Sequence, residues 1–448
     1  MLNRLSMKHI IIIGNGIAGI TTARHVRQQD DTARITVISA ESEHFYSRTA
    51  LMYIYMGHMT YEHTKPYEDW FWKKNRIELV RGYVEQVDTD ARRIRLNDDT
   101  WLAYDALVIA TGSVSSTGNW PGLDSTGVQG LYGLPDLESM GHHTSNIDRA
   151  VVVGGGLIGI ELAEMLHSRH IPVTMLVRDT HYWSSTIPAE EGELIRRHVR
   201  RHGVDLQLKA ELKEILADEA GHVRAIVTTD EREIACQFVG LGVGVTPNIS
   251  FLKTSGIELG KGVLVNEYFE TNIPDVYAIG DCNEFRVPIT GTDGSPRKAI
   301  EQIWYTGRMH GETLAQTLCG NRTAYQPGVF FNSAKFFDIE YQTYGTMNAK
   351  LAEDEQTYYW EHPNGQQCLR INYEAKGEGV VGIHAFGLRL RHAVCERWIR
   401  EHCPLPEVLS QFQQADFNPE FSENYTNQLQ GKGPLRKNWL QRLFSTAN

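Results

Sequence analysis

The chain has 448 residues, 41% hydrophobic and 22% charged, so it can bury a core and is not a disordered segment; at roughly 150 residues per domain it has room for about three. Forty-four Lys and Arg against fifty-five Asp and Glu leave a net charge of −11, which argues against non-specific binding of nucleic acid as the main activity. No apolar run reaches the ~18 residues of a membrane-spanning helix, and the run at residues 10–13 is too short for a signal-peptide core, so the expected location is cytoplasmic.

Residues 9–13 form an apolar run that stops at Gly14; residues 17–26 have helical character; residues 35–38 are again apolar and β-branched. This order predicts a βαβ unit. The same order returns at residues 150–153, Gly154, 157–166 and 173–177. Between the two copies, residues 106–110 read as a buried strand closed by Thr111-Gly112. The Gly/Ser/Pro-rich residues 113–122 then read as a crossover, matched later by Gly244-Val245-Thr246-Pro247. The chain returns to the first lobe through residues 276–279 and Gly280-Asp281. From about residue 326 the pattern changes. Residues 335–343 partly alternate, residues 358–360 and 369–373 flank the hairpin signal Pro363-Asn364-Gly365, and 380–383 is a further strand. Helical stretches follow at 392–401 and 406–414. The expected organisation is a first lobe from residues 1–115 and 250–325, a second from 116–249, an α+β domain over 326–430 and a polar tail over 431–448. The fold class is α/β, with two Rossmann-like lobes and a C-terminal α+β domain.

Gly14-Asn15-Gly16-Ile17-Ala18-Gly19 is a G-x-G-x-x-G run between strand and helix. Gly14 permits the tight turn, Gly16 lets backbone approach a pyrophosphate, and Gly19 lets helix and strand pack closely. Glu41, two residues past the second strand, can accept adenosine ribose hydroxyls; the plainer alternative is a solvated loop carboxylate. Gly154-Gly155-Gly156-Leu157-Ile158-Gly159 repeats the pattern with Gly154, Gly156 and Gly159. Arg178 ends the following strand and can pair with a 2′-phosphate, favouring NADPH slightly, whereas Asp179 pulls toward NADH. A carboxylate at Gly280-Asp281 can hydrogen-bond a ribityl hydroxyl. The cysteines stand at 236, 282, 319, 368, 395 and 403, none in C-x-x-C spacing, and the first 235 residues hold none. The pairs His167/His170 and His198/His202 lack a third ligand, so no metal site is expected. The basic run over 196–202 ends a helix that begins with acid, as a helix dipole prefers; a dock for an acidic electron carrier is the sharper alternative. Residues 435–444 mix aromatic and basic side chains, and a membrane-surface helix there is the less favoured reading.

Together, Gly14-x-Gly16-x-x-Gly19, Ala110-Thr111-Gly112, Gly154-x-Gly156-x-x-Gly159, Val243-Gly244-Val245-Thr246-Pro247-Asn248 and Ala278-Ile279-Gly280-Asp281 resemble the pyridine nucleotide-disulfide oxidoreductase superfamily over residues 8–345. Tyr46-Ser47-Arg48-Thr49-Ala50-Leu51 is similar to the flavin-side motif of its thiol-free branch: ferredoxin and rubredoxin reductases, the flavin domain of nitrite reductases and apoptosis-inducing factor. The resemblance implies FAD on the first lobe and NAD(P)H on the second. Arg48 would lie near the FAD pyrophosphate, and Thr111 and Gly112 would border the cofactor. Glu161 is a candidate to position the nicotinamide carboxamide, or a glutamate in the first turns of its helix that the dipole favours. Relatives often carry a Lys where this chain has Tyr53, so a Lys–Glu pair beside the flavin is absent; Tyr53 is a candidate to hydrogen-bond flavin or substrate, or a core aromatic. The implied reaction takes hydride from the nicotinamide nucleotide and passes electrons from flavin directly to an external acceptor, a small molecule or a ferredoxin- or rubredoxin-like protein, without a redox-active cysteine. Alternatives are a peripheral NADH:quinone oxidoreductase and an NAD(P)H-sensing flavoprotein acting as an interaction module. The third domain occupies the place where relatives often form homodimers.

Overall fold

The structure, a computed structural model, describes residues 8–431; the aromatic-basic stretch at 435–444 lies outside them. Two compact units result. Among the described residues, one holds those up to Ser184 together with Ile195–Gly328; the other holds Ser185–Leu194 together with those from Val329 to Gly431.

The first unit contains two parallel five-stranded sheets. In one, the strands run in the order Val276–Ala278, Ala106–Ile109, His9–Ile13, Arg34–Ser39, Ile77–Arg81. Ile10 to Ile13 and Ala106 to Ile109 are buried at every position, which is why they read as continuous apolar runs: both faces of a parallel sheet are covered. The helix Ile17–Gln29 lies against Trp304–Leu318, and the contact is close because Gly311 meets the Ala18 carbonyl without a side chain between them. The second sheet repeats the plan in the order Asp205–Leu208, Val173–Val177, Ala150–Val153, Phe238–Leu241, Val128–Gln129. Its glycine turn feeds the helix Leu157–Ser168, two residues longer than the sequence periodicity suggests. The two crossovers pair with each other as antiparallel strands, Ser113↔Pro247 through Ser115↔Val245. Two antiparallel meanders, Val84–Asp88 to Trp101–Ala103 and Leu212–Ala217 to Glu233–Ala235, and a parallel pair, Val263–Val265 with Asn283–Phe285, also belong to the unit.

The second unit is built on an antiparallel sheet in the order Phe331–Phe336, Ile339–Gly345, Val380–Phe386, Cys368–Glu374, Glu355–Glu361. The hairpin around Asn364 forms as the turn residues dictate, with Gly365 at φ +68°. Period-2 alternation splits the strand Cys368–Glu374 between two faces. Leu369 and Ile371 join Cys395, Trp398 and Ile399 of the helix His392–Arg400 in the core, while Cys368, Arg370 and Asn372 face the other way. The predicted helix over 406–414 is broken: Leu405–Ser410 is α-helical, then Phe412–Ala415 tightens to a 3-10 turn that buries Phe412 and Ala415. Among the described residues no helix is long and apolar enough to cross a membrane.

Candidate functional site

Parallel strands in register place their carboxyl ends on one edge, and that edge gathers motifs far apart in the chain. Ile13 pairs with Ile38 and with Ile109, and Ile109 pairs with Ala278. Gly14, the Glu41 loop, Thr111-Gly112 and Gly280-Asp281 therefore emerge side by side. Gly14 sits at φ +116°, and a Cβ there would stand 2.1 Å from the Ala110 carbonyl oxygen; Gly19 would collide equally with the Gly14 carbonyl. Gly16 differs. Its φ is an ordinary −72°, it caps the helix Ile17–Gln29, and no atom lies within 4 Å of its would-be Cβ. No acidic side chain stands in that helix's first turn. The open space is thus a cradle in front of free helix N–H groups, which fits a pyrophosphate. Asn15 ties the loop to the next one by donating to the Ser42 carbonyl at 3.0 Å.

Glu41 and Arg48 meet. Arg48 donates Nη2 to Glu41 Oε2 at 2.6 Å and Nη1 to Oε1 at 3.1 Å; the Tyr46 hydroxyl and the Leu134 N–H also donate to this carboxylate. Burial pushes the Glu41 pKa up, but the Arg48 charge and these hydrogen bonds outweigh it and hold it below the ordinary value. Thr111 donates its hydroxyl to the Asn248 carbonyl at 2.7 Å, joining the two crossover turns. Asp281 receives hydroxyl donors from Tyr132 at 3.2 Å and Ser113 at 3.3 Å, and Gln302 Nε2 donates to Ser113 Oγ at 2.8 Å. Burial raises the Asp281 carboxyl above the usual range, although the two donors and Arg48 oppose it. Behind the turn, His310 Nδ1 accepts the Gly280 N–H at 3.2 Å; burial, then the Arg297 charge, hold this imidazole neutral by pushing its pKa down to about 3.

In the second lobe Val153 pairs with Leu176 and with Leu241, so Gly154, Arg178 and Gly242 share an edge. Gly154 lies at φ +117° against the Gly242 carbonyl, and Gly159 packs on Gly154. Gly156 is again the open position: the Trp183 indole nitrogen, 3.9 Å from a would-be Cβ, is the single atom near it. Tyr182 is fully buried and its hydroxyl donates to the Gly156 carbonyl at 3.4 Å. Arg178 is 79% exposed with Asp179 3.9 Å away, so its guanidinium faces solvent. Glu161 is half-buried in the helix Leu157–Ser168, and Tyr53 is half-buried and stacked on His58. Cys282 is sealed inside: its Sγ donates to the carbonyls of Ile109 and Ile279, and burial pushes the thiol pKa up.

The sequence singles out the glycines, Glu41, Arg48 and Asp281 that share this edge, but not Ser113, Tyr132, Gln302 or His310. Ser113 directly follows the Thr111-Gly112 turn and was open to notice. The other three reach the edge from distant elements, and no local pattern marks them.

A family profile described as pyridine nucleotide-disulphide oxidoreductase matches residues 8–311. The nitrite reductase [NAD(P)H] of Bacillus subtilis (strain 168) is 27% identical over 387 residues, covering 86% of this chain but 46% of its own length, so the chain spans under half of that relative. The ferredoxin reductase component of chlorobenzene dioxygenase from Cupriavidus sp. (strain PS12) is 30% identical, over 71% of this chain and 76% of its own. Among solved structures, a ferredoxin reductase from Rhodopseudomonas palustris superimposes with a TM-score of 0.76 at 22% identity, covering 85% of this chain and 91% of its own, a likeness of fold. The profile covers both glycine turns and the Asp281 turn, and the chain belongs to the pyridine nucleotide-disulphide oxidoreductase family, a family of NAD(P)H-dependent oxidoreductases.

Proposed function

We propose that the chain takes hydride from NAD(P)H and, through FAD, delivers electrons to an external protein carrier of ferredoxin or rubredoxin type. The observation that carries this reading is an open glycine position at the strand–helix turn of each lobe, with no available thiol beside it. The first 235 residues hold no cysteine, and Cys282 is buried with its Sγ spent on backbone carbonyls. Gly14, Gly16 and Gly19 with Thr111, Gly112 and Asp281 would hold FAD; Gly154, Gly156, Gly159 and Arg178 would hold the nicotinamide nucleotide. Bound there, the flavin supplies the hydride-accepting and electron-releasing chemistry.

The protein's own contribution is binding and orientation. The N-terminus of Ile17–Gln29 offers N–H groups to a diphosphate, and Asp281 offers an acceptor to a polyol hydroxyl. Glu41 would accept ribose hydroxyls and Arg48, now on Glu41, would turn toward the diphosphate charge. Glu161 would orient the nicotinamide, and Tyr53 stands where a lysine would otherwise place a charge. Relatives named for ferredoxin and rubredoxin chemistry support a protein acceptor. Anaerobic stopped-flow reduction with NADH and NADPH, followed by ferredoxin, rubredoxin, quinone and oxygen as acceptors, tests the proposal. Rapid bleaching of a bound flavin followed by fast reoxidation by an iron–sulfur or rubredoxin-type carrier is the expected result. A protein without flavin, or a flavin that neither nucleotide bleaches, overturns it.

A further inference from the structure

The strand Val128–Gln129 belongs to the second lobe, pairing Val128 with Val239 and Gln129 with Gly240. Just beyond it the chain leaves that lobe and enters the carboxyl edge of the first. Tyr132 uses every polar atom it has there. Its phenol oxygen accepts the Ser113 N–H at 2.9 Å and donates to Asp281 Oδ2 at 3.2 Å. Its carbonyl accepts Arg48 Nη1 at 2.6 Å, and the guanidinium lies over its ring, 4.5 Å from the centroid. Its own N–H donates to Asp136 Oδ2 at 2.8 Å, which also holds the Gly133 N–H. The next N–H, of Leu134, donates to Glu41. Gly112 is glycine for the same reason: at φ +66° a Cβ would stand 2.7 Å from the phenol oxygen.

Four stretches of the first lobe's edge, at Glu41, Arg48, Gly112-Ser113 and Asp281, therefore converge on residues 132–134, which follow directly on the second-lobe strand Val128–Gln129. We infer that Tyr132 is a positioning residue of the flavin site, and that it makes capture of FAD by the first lobe depend on the second lobe's entry segment. The inference rests on the reading that this edge binds FAD. The phenol hydroxyl fixes the Asp281 carboxylate and occupies the Ser113 N–H; without it the carboxylate keeps only the Ser113 hydroxyl and can rotate away from a ligand. The ring holds the plane of the Arg48 guanidinium.

The test uses full-length protein stripped of flavin and titrated with FAD by fluorescence quenching. Tyr132→Phe should weaken FAD binding about tenfold and Tyr132→Leu, which also removes the ring, about a hundredfold. The unfolding midpoint of the flavin-free Phe variant should stay close to wild type, whereas a merely structural role would lower midpoint and affinity together. A second measurement needs no variant: FAD added to stripped wild type should slow amide hydrogen exchange across residues 128–137. If wild type binds no FAD, the cofactor reading itself fails. If wild type binds FAD but the Phe variant binds equally well, or residues 128–137 gain no protection, the role of Tyr132 is overturned and the cofactor reading stands.

Discussion

At the residue scale the first two glycines of the first turn differ in what the backbone demands of them. Gly14 and Gly16 are two positions apart, yet only Gly14 is required by the backbone: its φ of +116° and the Ala110 carbonyl exclude a side chain. Gly14→Ala should cost about 3 kcal/mol of stability or more. Gly16→Ala, with ordinary φ and empty space before it, should melt as wild type does and yet lose most of its FAD affinity. Thermal unfolding beside FAD titration checks both. His310 supplies a pH signature. Its pKa is about 3 in the folded chain and returns to 6.5 on unfolding. Between those values the unfolded chain binds one more proton, so stability falls as pH drops below the unfolded value, by up to about 1.4 kcal/mol per pH unit. His310→Gln keeps an acceptor for the Gly280 N–H and removes the titration. In urea unfolding, wild type should lose stability between about pH 7 and about pH 5 faster than this variant does.

At the element scale the most demanding arrangement is a buried ion pair in the second unit. The helix Ala189–Arg201 opens with Glu190 and Glu191, which belong to that unit. Arg370 donates Nε to Glu191 at 3.0 Å, Nη2 to Glu190 at 3.0 Å and Nη1 to the Thr357 hydroxyl at 3.2 Å. His384 Nδ1 lies 3.3 Å from the other Glu191 oxygen, so it carries the proton there, and Nε2 faces the Tyr341 hydroxyl at 3.3 Å. Glu191 has no exposure at all. A carboxylate so placed needs its cation: Arg370→Met leaves an uncompensated buried charge and should cost about 3–5 kcal/mol. Combining it with Glu191→Gln removes the charge as well and should recover most of the loss. Chemical unfolding of the two variants measures the difference; equal stability of single and double variants would contradict the pairing.

At the scale of the whole molecule, the chain uses one βαβ plan twice and threads it so that the first lobe is closed only after the second has been made. The strand Val276–Ala278 completes the first sheet beside Ala106–Ile109, and the paired crossovers Ser113–Ser115 and Val245–Pro247 mark the exit and return. The third domain owns more of the chain than its sequence range suggests, because Ser185–Leu194 folds with it. Ending the chain at residue 328 strips Glu190 and Glu191 of Arg370 and His384. The shortened protein should unfold at a lower temperature than the full chain even with FAD added. Calorimetry of both forms decides it, and an unchanged melting temperature would show that those carboxylates do not need their partners.

Both glycine turns, the buried strands that feed them, the two crossover turns and the hairpin at Asn364 were legible in the residues, because each depends on local rules: glycine where a Cβ cannot fit, unbroken apolar runs where both sheet faces are covered, turn residues where φ is positive. The sequence by itself therefore determined the two-lobe plan, the family resemblance and the lack of a thiol before residue 236. Only the tertiary structure decided that Glu41 and Arg48 hold each other, that Tyr132, Ser113 and Gln302 surround Asp281, and that Glu191 is buried against Arg370. Those contacts join residues on different elements, and strand register and helix docking, which set them, are properties of the packed chain that no short window of residues contains.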